Sequence, residues 1–151
     1  MIQYRKMQLD DLDFIYKDPE LRPLVTSYAK TARFAVLVEC DNSIFGGVTG
    51  FTVKNAAFIQ VLIIKEKEKK QQKIYKDGLI RSLIHILERD GIEIIFVDLD
   101  KEDNAYYKIG FKKLEGKEYF IKDLEKPIKE NFNINSIYWI STKDYFSTIN
   151  C

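Results

Sequence analysis

The sequence predicts an α/β (α+β) chain: a mixed central sheet of six to seven strands flanked by about four helices. Three observations carry that reading. Residues 57–64 (AFIQVLII) and 92–99 (IEIIFVDL) are short, nearly continuous apolar runs, the pattern of strands buried on both faces. Between them Leu79, Ile80, Leu83, Ile84 and Leu87 recur at helical spacing. Residues 34–54 read as two strands around a polar turn, a hairpin.

Taken in chain order, residues 2–7 alternate and predict a short strand. A helix starts at Leu9-Asp10-Asp11-Leu12, with Asp10 as candidate N-cap and Leu12, Ile15 and Tyr16 as its apolar stripe. It ends near Asp18-Pro19, and residues 20–30 continue as helix or irregular chain. Residues 34–40 and 44–54 are the hairpin strands around Asp41-Asn42-Ser43. Gly46, Gly47 and Gly50 inside the second strand signal a bend, a bulge or close backbone approach. After a turn at Asn55-Ala56 comes the first buried strand, 57–64.

Residues 65–70 (KEKEKK) read as a solvated loop or helix start. The helix runs to about Asp90 and stops at Gly91. Two buried strands joined by one crossover helix are expected to lie parallel, with a right-handed connection. Residues 104–108 form a short helix ended by Gly110. Residues 111–114 start a strand that continues through 117–122 after a turn at Gly116. Residues 123–135 read as a polar loop holding Pro127, 136–142 (SIYWIST) as the last strand, and the remainder as a tail.

The 151 residues suit a single domain spanning 1–151. A hydrophobic fraction of 46% with 31% charged residues excludes a disordered chain. Lys plus Arg number 24 against 23 for Asp plus Glu, so no global field attracts nucleic acid or an anionic membrane. The longest apolar run is too short to span a bilayer, and the polar start MIQYRKMQLDD does not read as a signal peptide. The two cysteines, Cys40 and Cys151, make no disulfide framework and point to a reducing, cytoplasmic compartment.

With one histidine, His85, no Cys/His zinc site can be assembled. His85 lies in a helical pattern away from any nucleophile elbow and reads as a partly exposed helix residue. Asp98, Asp100, Glu102 and Asp103 raise a metal or phosphatase reading. A calcium loop fails because Asp103 stands where Gly is needed and Ile109 where Glu closes the loop. A DxD phosphatase would want its strand nearer the N-terminus. Loop solvation and a helix cap are the expected roles, and no metal is expected.

Tyr106-Tyr107-Lys108-Ile109-Gly110-Phe111 resembles the aromatic-Tyr-x-x-Gly-Phe segment with which the GNAT acetyltransferase superfamily ends its core. That family's phosphate loop, Gln/Arg-x-x-Gly-x-Gly/Ala, opens a helix that ends in Gly before a buried strand. Counting back from Gly91 places it at Gln71-Gln72-Lys73-Ile74-Tyr75-Lys76. Gln71 matches; Ile74 and Lys76 replace the two small residues. Asp100 and Asp103 stand where the family often carries Asn and Ala. The element order matches over residues 2–142.

The resemblance implies an N-acetyltransferase that takes an acetyl group from acetyl-CoA to a small-molecule or peptide amine, without a metal. It implies that the pantetheine arm lies along residues 60–64, with Val61, Leu62 and Ile63, and that the pyrophosphate meets Gln71, Gln72, Lys73, Ile74, Tyr75, Lys76 and Asp77 at the helix start. Free N–H groups and the helix dipole favour phosphates there. Lys69 and Lys70 crowd the same end, and Lys73 and Lys76 add charge where the glycines are missing.

By motif position Tyr107 is the general acid and Tyr106 packs into the core. Glu39 and Asp98 are candidate bases, and Cys40 a small buried residue. Acceptor recognition falls to residues 19–31, with Arg22, Tyr28 and Lys30, joined by Arg33, and to 122–135, with Asp123, Glu125 and Glu130. The alternative is a non-catalytic domain of this fold that binds acyl-CoA or a protein partner. An exposed aromatic edge at Trp139 would pair with a second copy as a homodimer; otherwise Trp139 is core.

Overall fold

A computed structural model describes residues 1–26, 33–99, 103–132 and 136–149. Its strands are β1 (Ile2–Lys6), β2 (Arg33–Cys40), β3 (Ser43–Val53), β4 (Ala56–Ile64), β5 (Ile94–Asp98), β6 (Lys112–Lys113) and β7 (Ile137–Ser141). The helices among the described residues are α1 (Asp11–Lys17), α2 (Pro23–Thr26), α3 (Gln72–Arg89), α4 (Asn104–Ile109), α5 (Ile121–Asn131) and α6 (Thr142–Ile149).

The strands join one sheet in the order β1-β2-β3-β4-β5-β7-β6. Neighbours are antiparallel except β4 and β5, which run parallel as the crossover helix requires. Asp41 and Asn42 take φ of 50° and 70° in the β2–β3 turn, the left-handed pair that a tight hairpin needs. The apolar stripe of α3 is buried as its spacing demands, with Leu79, Ile80, Leu83 and Ile84 all at 0% exposure. It packs on one face of the sheet with α4 and with Tyr145 of α6. The other face carries Ile15, Leu21 and Leu24 beside β2 and β3, and Leu124 and Ile128 of α5 beside β4, β5 and β7.

One irregularity in β4 positions everything that follows. Thr49 pairs with Val61 and Gly50 with Ile59, so Gln60 is an extra residue, a β-bulge. Gly50 is required there, since a Cβ would stand 1.9 Å from the Phe58 carbonyl oxygen. The bulge inverts the alternation of side chains. Ala57 and Ile59 face the α3 side before it, and Leu62 and Ile64 face that side after it. Pairing with β5 stops at Ile59–Val97, so residues 60–64 run on without β5 alongside.

Several expectations are corrected. Residues 65–70, read as a solvated loop or helix start, take the second form from Glu66 on: a 3₁₀ turn, Glu66–Gln71, runs straight into α3. Asp10 makes no capping bond; the Asp11 carboxylate reaches back instead, accepting from the Gln8 N–H ahead of the helix at 2.7 Å. The closing strand 111–122 shrinks to Lys112–Lys113, and the polar loop after it is α5. Pro127 lies inside that helix. It has no N–H to offer the Asp123 carbonyl one turn back, and Lys54 Nζ donates to that carbonyl at 3.3 Å instead.

The expected tail is α6, docked by the Thr142 hydroxyl, which donates to the Ile92 carbonyl at 2.9 Å. β7 is not an edge, and Trp139 is buried against Phe120 with Lys112 over its ring. The exposed aromatic edge that suggested a homodimer is therefore absent from the described residues.

Candidate functional site

Where β4 and β5 part, a cleft of about 480 Å³ opens. Its floor is Ile59, Gln60, Val61 and Leu62 on one strand and Val97, Asp98 and Leu99 on the other. Tyr106 of α4 closes it from the α3 side, and Asn131 and Phe132 at the end of α5 close it from the opposite side. Phe132 is fixed there by its ring, 5.4 Å from that of Phe58.

Tyr106, not Tyr107, is the tyrosine of the cleft wall. Tyr106 is 3% exposed and stacks edge-on with Phe111 at 5.2 Å. Burial, and then the nearby Asp103 carboxylate, push its phenol well above the usual tyrosine range, so it holds its proton. Tyr107 is 46% exposed, lies edge-on to Tyr138 at 5.8 Å and lines neither cavity. The signal that separates them is helical spacing: Tyr106 shares a face with buried Ile109 three residues on. Gly110, at φ 124°, ends the helix.

A second cavity, of about 610 Å³, lies between the first turns of α3 and the start of α4. Gln72, Lys73, Ile74, Lys76 and Asp77 line it from α3, and Asp103, Asn104, Ala105 and Lys108 from the other side. The two spaces adjoin, because Lys76 Nζ, on the cavity, lies 5.4 Å from the ring centre of Tyr106, on the cleft. Lys76 is ion-paired with Asp103, whose other oxygen accepts from the Ala105 N–H at 3.0 Å and so caps α4.

The expected cofactor residues divide. Val61 and Leu62 line the cleft; Ile63 packs on the α1–α2 side. Gln72, Lys73, Ile74, Lys76 and Asp77 meet at the second cavity. Tyr75 does not: it is 8% exposed, ring-to-ring with Phe45 at 4.7 Å, and its hydroxyl donates to Gln71 Oε1 at 3.0 Å. The helix start is also not the open cradle that glycines would leave. The 3₁₀ turn takes up the Gln72 N–H, which donates to the Lys69 carbonyl.

Of the two candidate bases, Asp98 lines the cleft and accepts a hydrogen bond from Ser136 Oγ. Glu39 is held by Arg5 at 2.9 Å, with Asp11 on the same guanidinium at 2.7 Å. Cys40 is half-buried beside the Met1 amino group and lines neither space. Arg22 donates to the Tyr16 carbonyl at 2.7 Å. Tyr28, Lys30, Asp100, Glu102 and Cys151 lie outside the described residues. His85 is an exposed α3 residue against Phe146. Among the described residues no three metal-ligating side chains cluster, and no helix is long and apolar enough to cross a membrane.

A parted pair of parallel strands suits an extended arm lying along the backbone of β4. The second cavity offers a diphosphate cationic side chains rather than a glycine-lined backbone. No protein-family model matches the chain, and no curated protein matches it in sequence. Solved structures do match. The ribosomal-protein-S18-alanine N-acetyltransferase of Escherichia coli superposes with a TM-score of 0.65 at 13% identity, over 94% of each chain. An acetyltransferase of the GNAT family from Staphylococcus aureus Mu50 gives 0.62 at 17% identity, over 94% of this chain and 99% of that one. The PaiA N-acetyltransferase of Thermoplasma acidophilum, in complex with coenzyme A, gives 0.60 at 18% identity, over 93% and 99%. From the bulged β4, its parting from β5 and these superpositions, the chain has the fold of the GNAT acetyltransferases.

Proposed function

We propose that the protein is an acetyl-CoA-dependent N-acetyltransferase acting on an amine acceptor. The observation that carries this is the cleft between β4 and β5, walled by a buried tyrosine on one side, with a cation-lined cavity nearby whose Lys76 lies over that tyrosine's ring. When bound, acetyl-CoA supplies the acetyl group as a thioester. Residues 60–64 of β4 provide a strand edge without β5 alongside for an extended arm. Lys73, Lys76 and Lys108 supply positive charge for its phosphates.

Tyr106 is the proton donor in this reading. Burial keeps its phenol protonated, so its O–H is present to hydrogen-bond the leaving thiolate; outright transfer to a group whose acid ordinarily titrates near ~8.5 is uphill, so the donation completes only as that thiolate departs. Asp98 is the group placed to draw a proton, through water, from an incoming amine. Phe132 and Asn131 shape the acceptor side of the cleft. Cys40, a free thiol, fits a reducing compartment, and we place the protein in the cytoplasm.

The test is turnover of acetyl-CoA over a panel of amines that includes polyamines, amino acids and peptide N-termini, with calorimetric binding of acetyl-CoA measured first. Micromolar binding and transfer to one class of amine is the expected result. Binding without transfer to any amine would make this a non-catalytic acyl-CoA-binding domain. No binding by the folded protein would turn the search to protein partners.

A further inference from the structure

The Lys76–Asp103 pair lies in the lining of the second cavity, and its two members belong to different walls. Lys76 projects from the second turn of α3, at the position where the small second residue of a phosphate loop is missing. Asp103 precedes α4. Both side chains are only about a quarter exposed, at 21% and 27%, so the bond is not a loose surface contact. The other cations of the cavity, Lys73 and Lys108, make no ion pair among the described residues, while Asp77 is taken by Arg81 at 3.0 Å. Asp103 is thus the one lining carboxylate held on a lining lysine. A diphosphate entering the cavity finds an anion already bound there.

We propose that Asp103 occupies the place of an anionic ligand group, and that a diphosphate binds by taking Lys76 over from it. This deepens the acetyl-CoA reading and rests on it for the identity of the ligand. The exchange is local. Asp103 keeps its second oxygen on the Ala105 N–H, so α4 stays capped while the lysine changes partner. Asp103 therefore sets the affinity of the site without touching the ligand. It lowers that affinity twice, by holding Lys76 and by repelling the incoming charge.

The experiment is calorimetric titration of the full-length protein with coenzyme A and, separately, with inorganic pyrophosphate. The proteins are wild type, Asp103→Asn, Asp103→Ser, Lys76→Met and the Lys76→Met, Asp103→Asn double variant. Asn and Ser both cap helices, so the single replacements remove the charge and keep the fold. Both Asp103 variants are expected to bind both probes about tenfold tighter than wild type. In the Lys76→Met background the gain is expected to fall below half of that, because no lysine is left to release.

Wild-type binding of coenzyme A that neither Asp103 variant improves would overturn the proposal and leave the acetyl-CoA reading standing. A gain undiminished in the Lys76→Met background would also overturn it, since repulsion alone would explain the effect. Tighter pyrophosphate binding by the Asp103 variants, coupled to Lys76, with no protein binding coenzyme A, would uphold the exchange and remove the cofactor reading. Failure of every protein to bind either probe would remove both.

Discussion

The ammonium of Lys76 lies 5.4 Å from the centre of the Tyr106 ring while paired with Asp103. One lysine therefore borders both spaces of the site: it lines the charged cavity, and its cation rests over the aromatic wall of the cleft. Such a contact contributes about 0.5–1 kcal/mol when partly exposed.

Tyr106→Phe is expected to lower kcat about a hundredfold while coenzyme A binding stays within about twofold. Tyr107→Phe, on the exposed side of the same helix, is expected to change neither by more than about twofold. Steady-state kinetics and calorimetry on both variants decide between the neighbours.

The raised phenol of Tyr106 also has a stability signature. A group whose pKa is higher in the folded state stabilises the fold fully below its unfolded value, about 10 for tyrosine. That contribution is lost as pH rises from there toward the folded value. Thermal melts of wild type should therefore fall above about pH 10, and the fall should be shallower in Tyr106→Phe.

Asp98 and Glu39 separate in the same manner. Asp98→Asn is expected to lower kcat/KM at least tenfold with little change in melting temperature. Glu39→Gln is expected to leave kinetics near wild type and to cost about 1–3 kcal/mol, because it breaks a charged hydrogen bond to Arg5 in a half-buried network. Urea unfolding alongside the kinetics reads both effects.

The Arg5 guanidinium holds the Asp11 carboxyl below the usual carboxylate range, against the opposing effect of burial. A depressed carboxylate stabilises the fold above its unfolded pKa, about 3.9, and the gain is lost as pH falls through the folded value. The difference in unfolding free energy between wild type and Asp11→Asn should be full at pH 7 and close progressively below about pH 4.

Gly50→Ala tests the bulge. Its Cβ would meet the Phe58 carbonyl oxygen at 1.9 Å and the Phe34 ring at 2.5 Å. Destabilisation by more than about 4 kcal/mol is expected, read by urea unfolding.

Residues 57–99 were legible because their apolar positions obey one period at a time: two continuous runs and one helical stripe. The bulge at Gln60 was not, since apolar residues fill both faces of β4 and hide a change of parity. α5 was missed because its apolar positions are few, only Leu124 and Ile128 being buried in it, and Pro127 argues against a helix until Lys54 is seen replacing the lost donor. In the site, the start of α3 was legible from element order, and the free run of residues 60–64 only through the resemblance. Which tyrosine walls the cleft was not, because adjacent helix residues point about 100° apart and a motif match does not say which of two tyrosines turns inward.

The insertion in β4 has a genetic reading. One codon, that of Gln60, separates the bulged strand from an unbroken ladder with β3. Deleting it would let Val61 follow Ile59 in register with Thr49 and Gly50, and would invite β4 to zip onward along β5. The smallest in-frame deletion available to the gene would thus restore a regular β3–β4 ladder and reverse which face of the sheet each of residues 61–64 points to. A lineage that kept the fold for another purpose would have that route open to it.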